Sequence, residues 1–215
     1  MKLYLYEHCI YCLRPRIIIG LNKINIKSFY LANDNEKDLI SKSGKKQVPL
    51  LEKNGLYFLE SLEICKILGG KEILENNNSQ CNIRSLVVEL YDMSKALIYP
   101  RFLYHPQNSV DFPTEKAKNY FLSKKEKSIG SFERNLKLST NFARIIKPLI
   151  KDIDKLIGHS LSKKYMISWN DLYIFPVLRS LTIAQDVLEI PNNIFNYVNL
   201  VCDIADIKIY KYFKF

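Results

Sequence analysis

Lys2-Leu3-Tyr4-Leu5-Tyr6-Glu7-His8-Cys9-Ile10-Tyr11-Cys12-Leu13-Arg14 opens this 215-residue chain on a change of hydrophobic period. Residues 2–6 favour β structure and stop at Glu7-His8-Cys9, whereas from Cys12 onward Leu13, Ile17, Ile18 and Leu21 recur at helical spacing. The pattern predicts a strand, a loop and a helix, with a C-x-x-C at the loop-to-helix junction. Pro15 falls near the front of that helix, where a missing amide proton costs little, and Gly20 with Asn22 stands near its end.

Working outward, residues 26–31 form a second strand candidate, and 35–43 a short polar helix stopped by Gly44. Two apolar runs, 48–52 and 56–59, flank Lys53-Asn54-Gly55, and Asn-Gly between such runs signals a hairpin. Ser61 stands as an N-cap before apolar positions running to Leu68, closed by Gly69-Gly70. The order βαβαββα fills residues 1–70, an α/β domain. Charged residues and Asn76-Asn77-Asn78-Ser79 make 71–82 a linker, and 83–215 an all-helical second domain. Its expected helices are 83–99 before Pro100, 115–138, 143–157 before Gly158, 170–188 and 194–207. Ser168-Trp169-Asn170-Asp171 has the spacing of a capping box, so Asp171 is expected to be structural.

Composition sets the outer bounds. Hydrophobic residues at 47% and charged residues at 25% are ordinary globular usage and argue against a disordered or collagen-like chain. No apolar run is long enough to cross a bilayer, and the opening residues lack the apolar core of a secretion signal, so the expected compartment is the cytoplasm. The net charge of +10 invites nucleic acid or an anionic surface as partner. It is spread along both halves, and the densest run, Lys124-Lys125-Glu126-Lys127, is broken by an acid. Neither a nucleic-acid nor a membrane partner is therefore expected. Five cysteines, an odd number, fit a reducing compartment. Cys65, Cys81 and Cys202 are isolated, Cys65 within an apolar pattern that suits a small buried side chain.

Cys9 and Cys12 are the pair to read for chemistry. A cysteine at a helix N-terminus meets unpaired amide protons and the positive end of the helix dipole, which stabilise a thiolate. Cys9 is thus the expected nucleophile toward a disulfide sulfur, and Cys12, three residues on and inside the helix, the resolving thiol. A zinc site wants four nitrogen or sulfur ligands, usually a second closely spaced pair. The sequence offers no second pair, and no metal is expected. An iron–sulfur cluster shared between two protomers is the alternative use of such a helix terminus.

The opening segment, together with Gly44-Lys45-Lys46-Gln47-Val48-Pro49 and Glu60-Ser61, resembles the bacterial glutaredoxin 2 family. The helical half is similar too, in Leu97-Ile98-Tyr99-Pro100-Arg101-Phe102, Tyr120-Phe121, Asp154-Lys155-Leu156-Ile157 and residues 175–182. The resemblance implies a thioredoxin-like domain followed by an all-helical domain, the layout of glutathione transferases, and glutathione-dependent thiol–disulfide exchange. Cys9 and Cys12 match the redox pair. Pro49 matches a cis-proline, and Val48 the residue whose backbone pairs with the cysteinyl part of glutathione. Tyr11 and Gln47 line the same tripeptide, and Glu60-Ser61 meets its γ-glutamyl end. His8, Arg14 and Arg16 are the groups expected to support the Cys9 thiolate. Implied partners are glutathione as cosubstrate, disulfide-containing or glutathionylated proteins, and glutathione reductase indirectly; a monomer is expected.

The family pattern has proline where this chain has Ile10, which restores an amide proton able to point toward the Cys9 sulfur and should shift the redox poise. Two other readings stay open. One is a glutathione transferase or dehydroascorbate reductase, which shares the layout. The other is a redox-gated interaction module using the basic helical domain.

Overall fold

The computed structural model describes residues 1–69, 81–161 and 166–215. In the first part, β1 (Lys2–Leu5), α1 (Ile10–Leu21), β2 (Lys27–Tyr30), α2 (Glu36–Ser43), β3 (Leu50–Lys53), β4 (Leu56–Phe58) and α3 (Ser61–Ile67) follow in order. The strands form one sheet in the order β2-β1-β3-β4. β1 pairs parallel with β2, Leu3 opposite Ser28, and antiparallel with β3, Leu3 opposite Leu51. The β3–β4 hairpin turns at Asn54 and Gly55, whose φ values of 52° and 78° suit this residue pair.

Alternation along the strands divides the side chains between two faces. Leu3, Leu5 and Leu51 join Leu13, Ile17 and Ile64 from α1 and α3 in the main core, while Tyr4 and Leu50 meet Leu39 of α2 on the other face. The fold is thioredoxin-like, with helices covering both faces of the sheet. α2 takes its N-cap from Asn35, which accepts the Asp38 amide, and ends at Gly44 in the left-handed region (φ 74°).

The second part contains α4 (Cys81–Tyr104), α5 (Glu115–Ile129), α6 (Phe132–Lys137), α7 (Ser139–Leu161), α8 (Asp171–Leu181) and α9 (Asn192–Ala205), with one-turn 3₁₀ segments at Pro106–Asn108 and Thr182–Ala184. Its buried residues run into the same core as the main face of the sheet. α1 lies against α3, α8 and α9. Gly20 permits that approach, because a Cβ there would sit 2.4 Å from the Ala205 Cα. Of the proposed linker, 71–80 lie outside the described residues, and 81–82 are already the first residues of α4.

Several helices differ from expectation. α1 starts two residues before Cys12, which puts Pro15 in its second turn and leaves the Tyr11 carbonyl without its usual helical donor. α4 continues through Pro100 for another turn, and α7 through Pro148 and Gly158, because packing of an apolar face outweighs single unfavourable residues. The stretch 115–138 divides at Gly130 (φ 75°), after which Ser131 caps α6 by accepting the Arg134 amide. α8 tightens into 3₁₀ turns at Thr182, where the Thr182 hydroxyl donates to the Arg179 carbonyl at 2.7 Å. Asp171 reaches back to accept the Ser168 amide at 2.6 Å and also takes the Tyr197 hydroxyl, a structural role linking α8 to α9. Among the described residues, no helix is long and apolar enough to cross a membrane.

Candidate active site

Cys9 is the N-cap of α1, in extended backbone conformation, with its carbonyl accepting the amides of Cys12 and Leu13. Its thiol is half-buried; that of Cys12, one turn inside the helix, is fully buried, and both are free. The Cys9 thiol is lowered from 9.0 to about 7. The largest cause is a hydrogen bond from the Cys12 thiol, opposed by burial and then reinforced by the charge of His8 and the amides of Cys12 and Tyr11. Burial and the adjacent Cys9 thiolate hold Cys12 well above 9.0. One sulfur is thus prepared to attack and the other to keep its proton until called on. The backbone amides that favour the thiolate are those of Tyr11 and Cys12, both of which a proline at position 10 would retain. Ile10 is the first helical residue, a position proline tolerates.

The loop carrying Cys9 is held from the helical half. Asp111, fully buried, accepts the Glu7 amide at 2.9 Å, the His8 amide at 3.0 Å and contacts His8 Nδ1 at 2.6 Å, while its own carbonyl accepts the Asn33 amide at 2.8 Å. The His8 ring is boxed by Tyr6, Phe102, Phe112 and Phe121, with centroids 5.1 to 5.7 Å away. Arg179 of α8, wholly buried, donates to Glu7 Oε1 at 2.5 Å, to the Glu7 carbonyl and to the Lys208 carbonyl. Arg16 donates to the other Glu7 oxygen at 2.9 Å. Burial pushes the Glu7 carboxyl up, but Arg179 and Arg16 outweigh it and keep it below 4.5.

The arginines expected beside the thiol are engaged elsewhere. Arg16 is paired with Glu7. Arg14 donates through Nε to the Leu172 carbonyl at 3.0 Å and through Nη1 to the Ser61 hydroxyl at 3.1 Å, and it packs between the rings of Tyr11 and Tyr173. Each guanidinium is thus committed to a partner other than the sulfur, Arg16 to Glu7 and Arg14 to Ser61 and the Leu172 carbonyl. Cys12, through its hydrogen bond, and His8, through its charge, are the side chains that favour the Cys9 thiolate.

The remaining predicted residues converge on one cavity of about 570 Å³, lined by Tyr11, Arg14, Gln47, Val48, Pro49, Glu60 and Ser61 among others. The Val48–Pro49 peptide bond is cis. Gln47 Nε2 donates to Glu60 Oε1 at 3.2 Å. Glu60, not Ser61, is the N-cap of α3; Ser61 is its first helical residue, leaving its hydroxyl to accept from Arg14. Tyr11, Gln47 and Val48 also border a neighbouring cavity of about 460 Å³, in whose wall Cys9 stands.

Sequence reasoning missed Asp111, Arg179 and Glu7. Arg179 did leave a trace, as a lone charge in the apolar run Phe175-Pro176-Val177-Leu178-Arg179. Nothing around Asp111 in the sequence distinguishes it. Among the described residues, no group of three or more His, Cys, Asp and Glu side chains is gathered to hold a metal ion.

Comparison with known proteins follows the same division of the chain. Residues 82–213 match the family model for the glutaredoxin 2 C-terminal domain, and residues 3–72 the glutathione S-transferase N-terminal domain. Glutaredoxin 2 of Escherichia coli strain K12 is 33% identical over 210 residues, covering 96% of this chain and 93% of that protein. Glutaredoxin 2 of Salmonella typhimurium, solved in complex with glutathione, superposes with a TM-score of 0.86 at 30% identity, covering 97% of this chain and 96% of that one. A glutathione S-transferase from the Antarctic clam Laternula elliptica shares the fold, at a TM-score of 0.54 and 18% identity over 94% of this chain and 87% of that one.

Proposed function

The chain belongs to the glutaredoxin 2 family, and on that footing we propose that it is a glutathione-dependent disulfide oxidoreductase working through Cys9 and Cys12. The observation that carries the site assignment is the half-buried Cys9 thiol at the N-terminus of α1, lowered to about 7 and standing in the wall of the cavity of about 460 Å³ that shares Tyr11, Gln47 and Val48 with its neighbour. On a glutathione mixed disulfide, the Cys9 thiolate attacks the glutathionyl sulfur. The substrate S–S bond breaks, and its electron pair leaves on the other thiol, which takes a proton. Glutathione thiolate then attacks the Cys9 adduct and releases oxidised glutathione, regenerating the thiolate.

On a protein disulfide, the Cys9 mixed disulfide is resolved by Cys12, which loses its proton and expels the second protein thiol. Two glutathione molecules restore the dithiol. Tyr11, Gln47, Val48 and Pro49 hold the tripeptide, Glu60 meets its amino group, and Ser61 with Arg14 meets its carboxylate. In this reading His8 supports the thiolate directly, while Arg14 serves the ligand and Arg16 the loop. Glutathione reductase recycles the cosubstrate, and the protein acts as a monomer in the cytoplasm on disulfide-bearing or glutathionylated partners.

The test is glutathione-coupled reduction of a small disulfide, followed as NADPH consumption with glutathione reductase, for the native protein and Cys9→Ser. Activity confined to the native protein supports the assignment; equal rates, or none in either, refute it. A transferase instead would conjugate glutathione to an electrophile and tolerate loss of Cys9.

A further inference from the structure

Tyr11, Gln47 and Val48 separate two cavities of different electrostatic character. The one lined by Glu60 and Arg14 contains a carboxylate and a cation, matched to the zwitterionic end of glutathione. The other contains Cys9, and its lining includes Lys46, Lys95, Lys124 and Lys125 but, among the described residues, no carboxylate.

Two of these cations have acidic neighbours outside the cavity wall, Lys46 with Glu36 at 3.7 Å and Lys95 with Asp92 at 2.5 Å. Lys124, which is exposed, and Lys125 have no ion pair among the described residues and lie beside rings, 5.3 Å from the centroid of Tyr120 and 4.6 Å from that of Tyr99. Solvation accounts for exposed Lys124 and Lys127 on the same helix; it does not account for Lys125, which is half-buried and whose ammonium is disfavoured by that burial. A desolvated cation lacking a carboxylate is matched when an anion enters. The Cys9 thiolate supplies one such charge in the reduced enzyme, and that charge disappears once Cys9 is joined to glutathione. The cations are then left facing the space where the departing thiol sits.

We propose that this lysine-lined cavity seats the non-glutathione half of a mixed disulfide and selects a small thiol carrying a carboxylate or phosphate near its sulfur. The proposal rests on the glutaredoxin reading and names its substrate class. Cys9 thiolate attacks the glutathionyl sulfur, the S–S bond breaks, and the anionic thiol departs with the electron pair and a solvent proton. Glutathione then attacks the adduct, so that mixed disulfide plus glutathione become free thiol plus oxidised glutathione. A volume of about 460 Å³ suits a ligand of that size.

The experiment compares kcat/KM for glutathione mixed disulfides of 3-mercaptopropionate, 2-mercaptoethanol and cysteamine, each divided by its uncatalysed exchange rate with glutathione. The native protein should favour the anionic adduct over the cationic one by roughly tenfold or more, with the neutral adduct between. The preference should fall to within about twofold in the Lys124→Met, Lys125→Met double variant and shrink at high salt. Any common effect of these variants on Cys9 cancels in the ratio. Equal values for the three adducts, or an order that survives the double variant, overturn the proposal while turnover of the neutral adduct keeps the glutaredoxin reading intact. Loss of turnover on all three overturns that reading and the proposal with it.

Discussion

Replacing Cys12 by alanine should deprive Cys9 of the largest influence on its acidity. The Cys9 thiol stands at about 7 against an ordinary 9.0, and the hydrogen bond from Cys12 is the first cause of that difference. A hydrogen bond to a charged acceptor is worth about 1.5–3 kcal/mol, or roughly 1–2 pH units at about 1.4 kcal/mol per unit. The midpoint should therefore rise to about 8–9 in Cys12→Ala. Cys12→Ser retains a donor and should stay within about half a unit of the native protein. At pH 7 the native thiol is about half ionised; in Cys12→Ala roughly a tenth to a hundredth remains ionised, and iodoacetamide alkylation should slow about five- to fiftyfold. The assay is the pH dependence of Cys9 alkylation, with modified peptides identified by mass. A Cys12→Ala midpoint within about 0.3 units of the native one would refute the assignment of the Cys12 hydrogen bond. The same shift links to stability: Cys9 is more acidic folded than unfolded, so its contribution is fully present above about pH 9 and is lost as pH falls through about 7.

Arg179→Met leaves Glu7 buried beside a missing partner, a loss of about 3–5 kcal/mol, and should lower Tm by roughly 10 °C. Lys155→Ala, which removes an exposed pair with Asp152, should leave the melting curve within about 2 °C. Ile10→Pro should hold the Cys9 alkylation midpoint within about 0.3 units, since the Tyr11 and Cys12 amides persist; a shift of a full unit would return the Ile10 amide to the role expected of it. Glu60→Gln should raise KM for glutathione severalfold with kcat little changed, measured by steady-state kinetics at fixed disulfide; an equal fall in kcat alone would place Glu60 outside ground-state binding.

The helical half holds the loop that carries Cys9 and is not an appendage to it. Asp111 and Arg179 hold the two residues before Cys9, Glu7 and His8, through backbone and side chain alike, fixing where Cys9 emerges from β1. The two lysines that α5 adds to the cavity holding Cys9 come from that half as well.

What the sequence determined by itself is local. The change from period two to helical spacing around Cys9, the Asn54-Gly55 turn and the glycine closing α2 are each decided by neighbours along the chain, so strand, loop, helix and the place of the thiol pair were legible. Ends were less so. α4 and α7 run through proline and glycine because tertiary packing pays more than a local residue costs, and 115–138 divides where Gly130 permits a turn that hydrophobic spacing alone did not require. Side-chain direction and long-range convergence belonged to the tertiary structure. Arg14 and Arg16 lie within about two turns of Cys9 in sequence, yet one serves Ser61 and the other Glu7, because the elements packed around α1 decide which partner a long side chain meets. Asp111 and Arg179 lie more than a hundred residues from the loop they hold, and only the shared core that packs α1 against α8 and α9 brings their charges to it.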